Sequence, residues 1–561
     1  MPHRDYDEAY TGGLTLLHAA AFRVFGTNLV SLRIVLLLFF LLFVAALYSI
    51  ARRLVPPPAA VLVTLLCVAW SVPNYFASLP SWYNLFFATF GGLALIRHME
   101  TGRRRWIFLA GLCGGVSVLF KIVGLYFVAA ALLFLAYRES RLQAERRAGE
   151  GRLTPFFLVK TGGCVLLLTA EACLLRNRVG APAFFHFLLP TAAVAGLLLA
   201  DEWKDGGGGL FERLDRLVGL SGPFLLGVAV PVAVFVAPFA AAGALSDLAR
   251  DVFLLPQKQI ATAAVDLPPL RTILPALPYA LLMAFPRTIP QRVGRGFRFA
   301  IVLFFAGLLG LAVLPAVYRG IWDSARSLLP LAAVAGCHSL GKTRPSGDPS
   351  SLARQRTFLL LCLSSLIALV QFPFAAPIYF CYVAPLTILA IAAFLPREAS
   401  APRALHLGVA AFYLLFAVLF LNPVYVFNLG HRYDRYVADR RLRLDRGGLR
   451  LPEIDARKYE RLIATIGKHG NGPIYAGPDC PEIYFLSGRP SPTRTFFEFL
   501  GPLETNAASL VPFLETRRTR LVVLNRTPAF SAKPTLALVT ELKRRYPNWE
   551  AIDNFVLLWK N

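Results

Sequence analysis

A chain of 561 residues that is 56% hydrophobic and only 16% charged, with a mean hydropathy of +0.56, is not a water-soluble globular protein, because ordinary domains carry about a quarter charged residues. Its net charge of +25 would point to nucleic acid in a soluble protein, but in a membrane protein it reads as orientation. Eight cysteines, seven in apolar segments and none in a Cys-x-x-Cys pair, give no support to a disulfide framework, a zinc site or a thiol redox motif.

Residues 1–12 are polar and include Asp5, Asp7 and Glu8, a pattern that predicts no cleavable signal peptide ahead of the first apolar run. From Leu14 to Phe25 apolar residues recur at helical spacing with His18 and Arg23 between them, which predicts an amphipathic helix lying in the membrane interface. Apolar stretches of spanning length then recur between residues 34 and 422, and at about 20 residues per span they predict about 12–14 crossings. The pair over 106–137 reads as a broken or re-entrant arrangement around Lys121. Lys and Arg gather in alternate loops, for example Arg52–Arg53, Arg103–Arg105 and Lys342 to Arg356, and the positive-inside rule makes those loops cytoplasmic. Segments 1–33, 74–81, 243–271, 316–323 and 373–377 are then expected on the outer face. From about residue 424 the composition changes. Extended runs at Pro473–Ala476, Leu521–Leu524 and Phe555–Trp559 alternate with amphipathic stretches near 453–468 and 534–546, which predicts a small α/β domain. The expected organisation is an outer loop with its interfacial helix at 1–33, a polytopic α-helical membrane domain at 34–423, and a small extracytoplasmic α/β domain at 424–561. The expected location is a bacterial inner membrane with the last domain periplasmic.

Three carboxylates close to a span suit two tasks. One of Asp5, Asp7 and Glu8 could act as general base for an acceptor hydroxyl, or Asp5 and Asp7 could hold a divalent cation against a phosphate. Helix-capping and solvated charges are the plain alternative. No Walker A, Gly-x-Gly-x-x-Gly or His-Glu-x-x-His pattern is present. Asn525-Arg-Thr527 fits a glycosylation sequon, which matters only in a eukaryotic secretory context. Asp479, Cys480 and Glu482 read as a turn before a helix.

The stretch "PHRDYDEAYTGG" followed by "LHAAAFRVFGTNLVSLRIVLLLFFLLFVAALYSIARRL" resembles the first outer loop and next span of bacterial GT-C glycosyltransferases of the family 39, dolichyl-phosphate-mannose protein mannosyltransferase-like type. "TGRRRWIFLAGLCGGVSVLFKIVGLYF", "GALSDLARDVFLLPQKQ", "LVQFPFAAPIYFCYVAP" and the tail "GPDCPEIYFLSGRPSPTRTFFEFL" are similar in the same way. The resemblance implies transfer of a hexosyl or pentosyl unit from a polyprenyl-phosphate donor to a lipid, glycan or protein acceptor on the outer face, with no nucleic-acid partner and no cofactor beyond a divalent cation. In that family an earlier span with an acidic residue precedes the loop. This chain begins inside the loop, so the resemblance implies a misplaced start codon or a truncated gene, with Asp5 and Asp7 at a second acidic position and the family's principal catalytic carboxylate missing from this sequence.

That task directs attention to cations for a phosphate and polar groups for a sugar. Lys121 between two apolar segments is costly unless paired, and a phosphate would be a fitting partner; snorkelling is the alternative. Arg33 enters a span at its outer boundary, as phosphate partner or interfacial anchor. Asp247, Arg250, Asp251, Lys258 and Gln259 follow a span, either as part of a lipid-phosphate and sugar site or as a solvated amphipathic loop. Arg319 and Asp323 are expected in a short outer loop as substrate contacts or a structural ion pair. Gln371, Tyr379 and Tyr382 bracket another outer turn, where aromatic residues belong in any case. Glu171 is an intramembrane ionisable group and so a functional candidate, while Lys160 is expected to snorkel. The rival readings are a transporter or flippase of lipid-linked saccharides and a non-catalytic GT-C-like scaffold. A transporter would show two corresponding halves with Gly/Pro-broken segments, and no internal repeat is evident.

Overall fold

In the computed structural model all residues are described except 147–153, 179, 206, 259–264, 285–294, 343–348, 395–400, 422–437, 499–506 and 561. Gln259 and the boundary expected near residue 423 therefore lie outside the described residues. The chain forms two compact units. One comprises Met1–Leu36, Val236–Ala264 and Asp434–Asn561; the other comprises Leu37–Phe235 and Val265–Tyr433.

The larger unit is helical. Beyond α1 (Gly13–Phe25) and the start of α2 (Leu29–Leu54), which belong to the smaller unit, it takes in the rest of α2, α3 (Pro57–Ala69), α4 (Pro80–Thr101), α5 (Arg104–Phe120), α6 (Leu125–Arg146) and α7 (Pro155–Leu175). Among the described residues seven helical segments are long and apolar enough to cross a membrane, or eight if the bent pair Phe299–Leu311 and Pro315–Lys342 counts as one. This is fewer than the 12–14 expected from apolar stretches; α4, at 22 residues, is long enough but carries Asn84, Arg97 and His98 and is not apolar enough, and length explains much of the rest. The α5 helix has 17 residues, Ile273–Ala284 has 12 and Ala384–Ala392 has 9, all short of the roughly 20 that a bilayer core requires.

Small residues set the close helix contacts of this unit. A Cβ on Gly111 would fall 2.0 Å from the Phe224 carbonyl oxygen, and one on Gly115 would fall 2.4 Å from that of Val228. Spaced one helical turn apart, these glycines let α5 press its backbone against the helix Leu210–Ala241, the small-xxx-small contact of membrane helices. Between α5 and α6 the helix breaks at Lys121, whose backbone is extended at φ −160° and ψ 140°.

Lys160 does not snorkel. It is buried, 2.9 Å from Glu139 and from Glu202, while Arg213 lies 2.7 Å from Glu139 and 2.9 Å from Glu202. The Phe156 ring lies 4.7 Å from Lys160 Nζ and 4.2 Å from the Arg213 guanidinium. Two carboxylates within reach make burial of the ammonium affordable, where an apolar setting would have driven it toward water. Residues 316–323, expected as a loop, are helical instead. Pro315 opens Pro315–Lys342, a position where its missing N–H costs nothing, so Arg319 and Asp323 lie one turn apart on a helix.

The smaller unit contains the α/β domain. A two-residue ribbon of β1 (Arg440–Arg441) and β2 (Arg450–Leu451) precedes a four-stranded sheet of β3 (Ile474–Gly477), β4 (Leu521–Asn525), β5 (Asn548–Ile552) and β6 (Phe555–Trp559). Their order is β3-β4-β6-β5, with β3 and β4 parallel and the other pairs antiparallel. All five residues of β4 are buried, as a central strand covered on both faces requires. Leu462, Ile466 and Ile483 pack on one face, and Leu510, Leu514, Leu538 and Leu542 on the other. The expected strands and the helices Glu453–Gly467 and Leu536–Arg545 are all present. Cys480 stands directly before the short helix Pro481–Ser487, as the turn reading anticipated.

Candidate active site

The first twelve residues fold against the segment that follows Leu210–Ala241. That segment was expected as a loop over 243–271, but it begins as a helix, Leu245–Ala249, continued by the wider turn Arg250–Leu254, a geometry often found at functional sites. His3 is fully buried, 3.1 Å from both Asp251 Oδ2 and the Thr11 carbonyl oxygen, with its ring 5.7 Å from that of Phe239. Gly12, at φ 102°, ends the loop and admits α1.

Pinned in this way, the loop places Asp7 among cations. Arg250 Nη2 donates to Asp7 Oδ1 at 2.8 Å, the Thr495 hydroxyl donates to Oδ2 at 2.7 Å, and Arg494 Nε lies 3.5 Å from Oδ1. The Asp7 N–H donates to the Arg494 carbonyl at 2.9 Å, and Arg494 Nη2 donates to the His3 carbonyl at 2.7 Å. Asp247 stands 4.0 Å from both guanidiniums. Burial alone would raise the pKa of Asp251, but hydrogen bonds from His3, Arg250 and the Glu8 N–H hold it below the usual carboxylate range. Glu8 is different. Burial raises its pKa against the opposing hydrogen bond from Thr15, whose hydroxyl donates to Oε2 at 2.7 Å. Burial, with the Glu8 charge, also pushes the Tyr6 phenol up to about 12.

Asp7 faces a cleft of about 260 Å³ in the same unit, whose other walls include Arg250, Arg494, Arg517, Tyr475 and Glu498. Glu498 accepts from the Tyr475 hydroxyl at 3.1 Å and from the Asp479 N–H at 2.8 Å. Burial pushes its carboxyl up to about 7. Its approach depends on Gly477 at the end of β3, where a Cβ would lie 2.0 Å from Glu498 Oε1.

The residues proposed from sequence sort into separate groups. Asp7, Glu8 and Asp247 come together with Arg250 and Asp251. Asp5 stands apart: it is exposed and held by Arg4 at 2.7 Å, which keeps its carboxyl well below the usual range. Asp5 and Asp7 thus have different partners, and among the described residues no group of three or more His, Cys, Asp or Glu could hold a metal ion. Lys258 is exposed at the end of the same segment, and Arg33 is half-buried near the start of α2.

In the larger unit Lys121 Nζ lies 5.9 Å from the centre of the Tyr379 ring. Tyr379 meets Tyr382 edge-on at 5.4 Å, and Tyr382 meets Trp82 at 4.5 Å. Arg319 is exposed on its helix. Glu171 is buried with no hydrogen bond of normal geometry to either oxygen among the described residues, Thr191 being its polar neighbour. This unit also holds an apolar chamber of about 640 Å³ beside Tyr279, Phe305, Leu328, Phe412 and Tyr413. His3, Arg494, Thr495 and Glu498 were not anticipated. Arg494 and Thr495 are ordinary residues in a Pro/Ser/Thr-rich loop, and nothing local marks them.

Helices of spanning length together with a compact α/β domain define a polytopic helical membrane protein. Residues 14–148 match the family model described as dolichyl-phosphate-mannose-protein mannosyltransferase, which bears out the resemblance over that stretch, just under a quarter of the chain. The match supports a membrane glycosyltransferase of the GT-C type. No curated protein matches the chain.

Proposed function

We propose that the protein transfers a hexosyl or pentosyl unit from a polyprenyl-phosphate donor to an acceptor hydroxyl at the outer face of a bacterial inner membrane. The acceptor oxygen attacks the anomeric carbon while the bond from that carbon to the phosphate oxygen breaks, inverting the centre. The hydroxyl proton passes to Asp7, and polyprenyl phosphate leaves as the anion. The observation that carries this reading is Asp7 itself, a carboxylate at a cleft wall, fixed in place by Arg250 and Thr495. Fixed geometry is the larger part of what a general base contributes.

In the larger unit, taken by itself, Lys121 is the proposed partner of a phosphate, whose negative charge a fixed cation offsets. Tyr379 and Tyr382 flank it as hydrogen-bonding or stacking groups. The apolar chamber beside Phe305 and Tyr413 suits a polyprenyl chain. No step is assigned to a metal ion.

The test is transfer of label from polyprenyl-phosphate sugar in membranes. Asp7→Asn is expected to lower turnover by about 100-fold or more, the usual range for a lost general base, while Asp5→Asn leaves it within about threefold, as for an exposed pair. Wild-type turnover in Asp7→Asn would remove Asp7 from the chemistry, and loss in Glu8→Gln alone would move the base to Glu8.

A further inference from the structure

We infer that the cleft beside Asp7 is an acceptor subsite that holds one pyranose ring, so that the acceptor is a saccharide or glycolipid rather than a protein. This rests on the proposed glycosyl transfer and names the substrate class of that site.

Its lining has the chemistry a sugar ring requires. Each sugar hydroxyl both donates and accepts, so a sugar site needs donors and acceptors side by side. Arg494 and Arg517 offer donors, and Asp7 and Glu498 offer acceptors. The Phe513 ring gives an apolar surface on the same wall for the C–H face of a ring, with the Arg517 guanidinium 5.6 Å from its centre. An anion trap would need a surplus of cations. Here Arg250 already meets Asp7 and Asp251, and Arg494 already meets Asp7 with Asp247 nearby. At about 260 Å³ the space falls just under the roughly 300–1,000 Å³ of pockets for drug-sized ligands, which suits a single ring better than an extended peptide.

Glu498 adds a feature that a plain structural carboxylate would lack. It stands on the cleft wall with one oxygen on the Tyr475 hydroxyl and the other on the Asp479 N–H, so Tyr475 and β3 hold it at a fixed height in the cleft. A ring in that place has Asp7 on one side and Glu498 on the other. The hydroxyl nearest Asp7 is the one the proposed reaction consumes.

Saturation-transfer NMR on the full-length protein in detergent tests the assignment. The probes are the methyl glycosides of glucose, galactose, mannose and N-acetylglucosamine, with a Ser/Thr-containing peptide and inorganic phosphate as comparisons. At least one glycoside is expected to receive saturation. Arg517→Ala, at an exposed position, and Glu498→Gln should each weaken its binding about tenfold, the loss of one hydrogen bond to a charged group. Three results would overturn the subsite: no glycoside binding in the wild-type protein, binding unchanged in both Arg517→Ala and Glu498→Gln, or displacement of the glycoside by the peptide or by phosphate. The two readings fail separately. Wild-type transfer without glycoside binding removes the subsite and leaves the transferase, whereas glycoside binding with full turnover in Asp7→Asn removes the base and leaves the subsite.

Discussion

At Asp7 two guanidiniums and a hydroxyl converge on one carboxylate, and at Glu498 a carboxylate is buried beside a phenol. The two residues respond to pH in different ways. Burial pushes the Glu498 carboxyl from its ordinary 4.5 up to about 7, so the folded state favours its protonated form. Its stabilising contribution is complete below about pH 4.5 and is lost as pH rises through about 7. A full-length protein melted in detergent should therefore lose stability over that window, by at most about 3 kcal/mol for a shift of this size. Glu498→Gln should flatten the loss, and an unchanged slope in that variant would assign the dependence to another group. Gly477 provides a second test. Since a Cβ there would lie 2.0 Å from Glu498 Oε1, Gly477→Ala must push the carboxyl aside. The expected cost is about 1–3 kcal/mol, as for other overpacked sites, read as a lower melting temperature; an unshifted melt would mean that Glu498 moves freely.

At the scale of elements, the buried pairing of α6, α7 and the two helices after them rests on Lys160, Arg213, Glu139 and Glu202. Removing one member of a buried ionic group leaves the others uncompensated, a cost of about 3–5 kcal/mol. Lys160→Met is expected to lower the melting temperature strongly, and a melt like that of wild type would show the network to be dispensable. None of this was legible locally, because a lone Lys in an apolar run looks the same whether it snorkels or finds carboxylates contributed by other helices. The break at Lys121 was legible, since one charge divides two apolar runs. The helix through Arg319 and Asp323 was misread for the same reason: charges in apolar sequence suggest a loop, yet they also fit a helix whose Arg326 donates to the Ala375 carbonyl at 2.7 Å. Strands β3, β4 and β6 were legible from their extended apolar runs, whereas β1 and β2 are two residues each with no apolar run, and β5 has alternating burial and an Asn548 and Glu550 that blur the pattern.

For the whole molecule, the charge asymmetry of the loops is the strongest orientation signal, and it predicts the face on which the α/β domain lies. An alkaline phosphatase reporter fused after Asn561 is expected to be active only if that end is outside the cytoplasm. An inactive fusion with an active cytoplasmic reporter at the same point would reverse the proposed sidedness. The candidate site was half legible at this scale. Asp7 and Glu8 announce themselves beside the first apolar run, but Thr495, which grips Asp7, is 488 positions away in sequence. That separation has a consequence for biosynthesis. Thr495 is made 488 residues after Asp7, so its hydroxyl reaches the carboxylate only after the helices between them have been synthesised. Closing so long a loop costs only slightly more entropy than closing a shorter one, so the delay is one of timing more than of stability. A chain cleaved between Arg250 and Thr495 keeps the guanidinium for Asp7 but loses the hydroxyl.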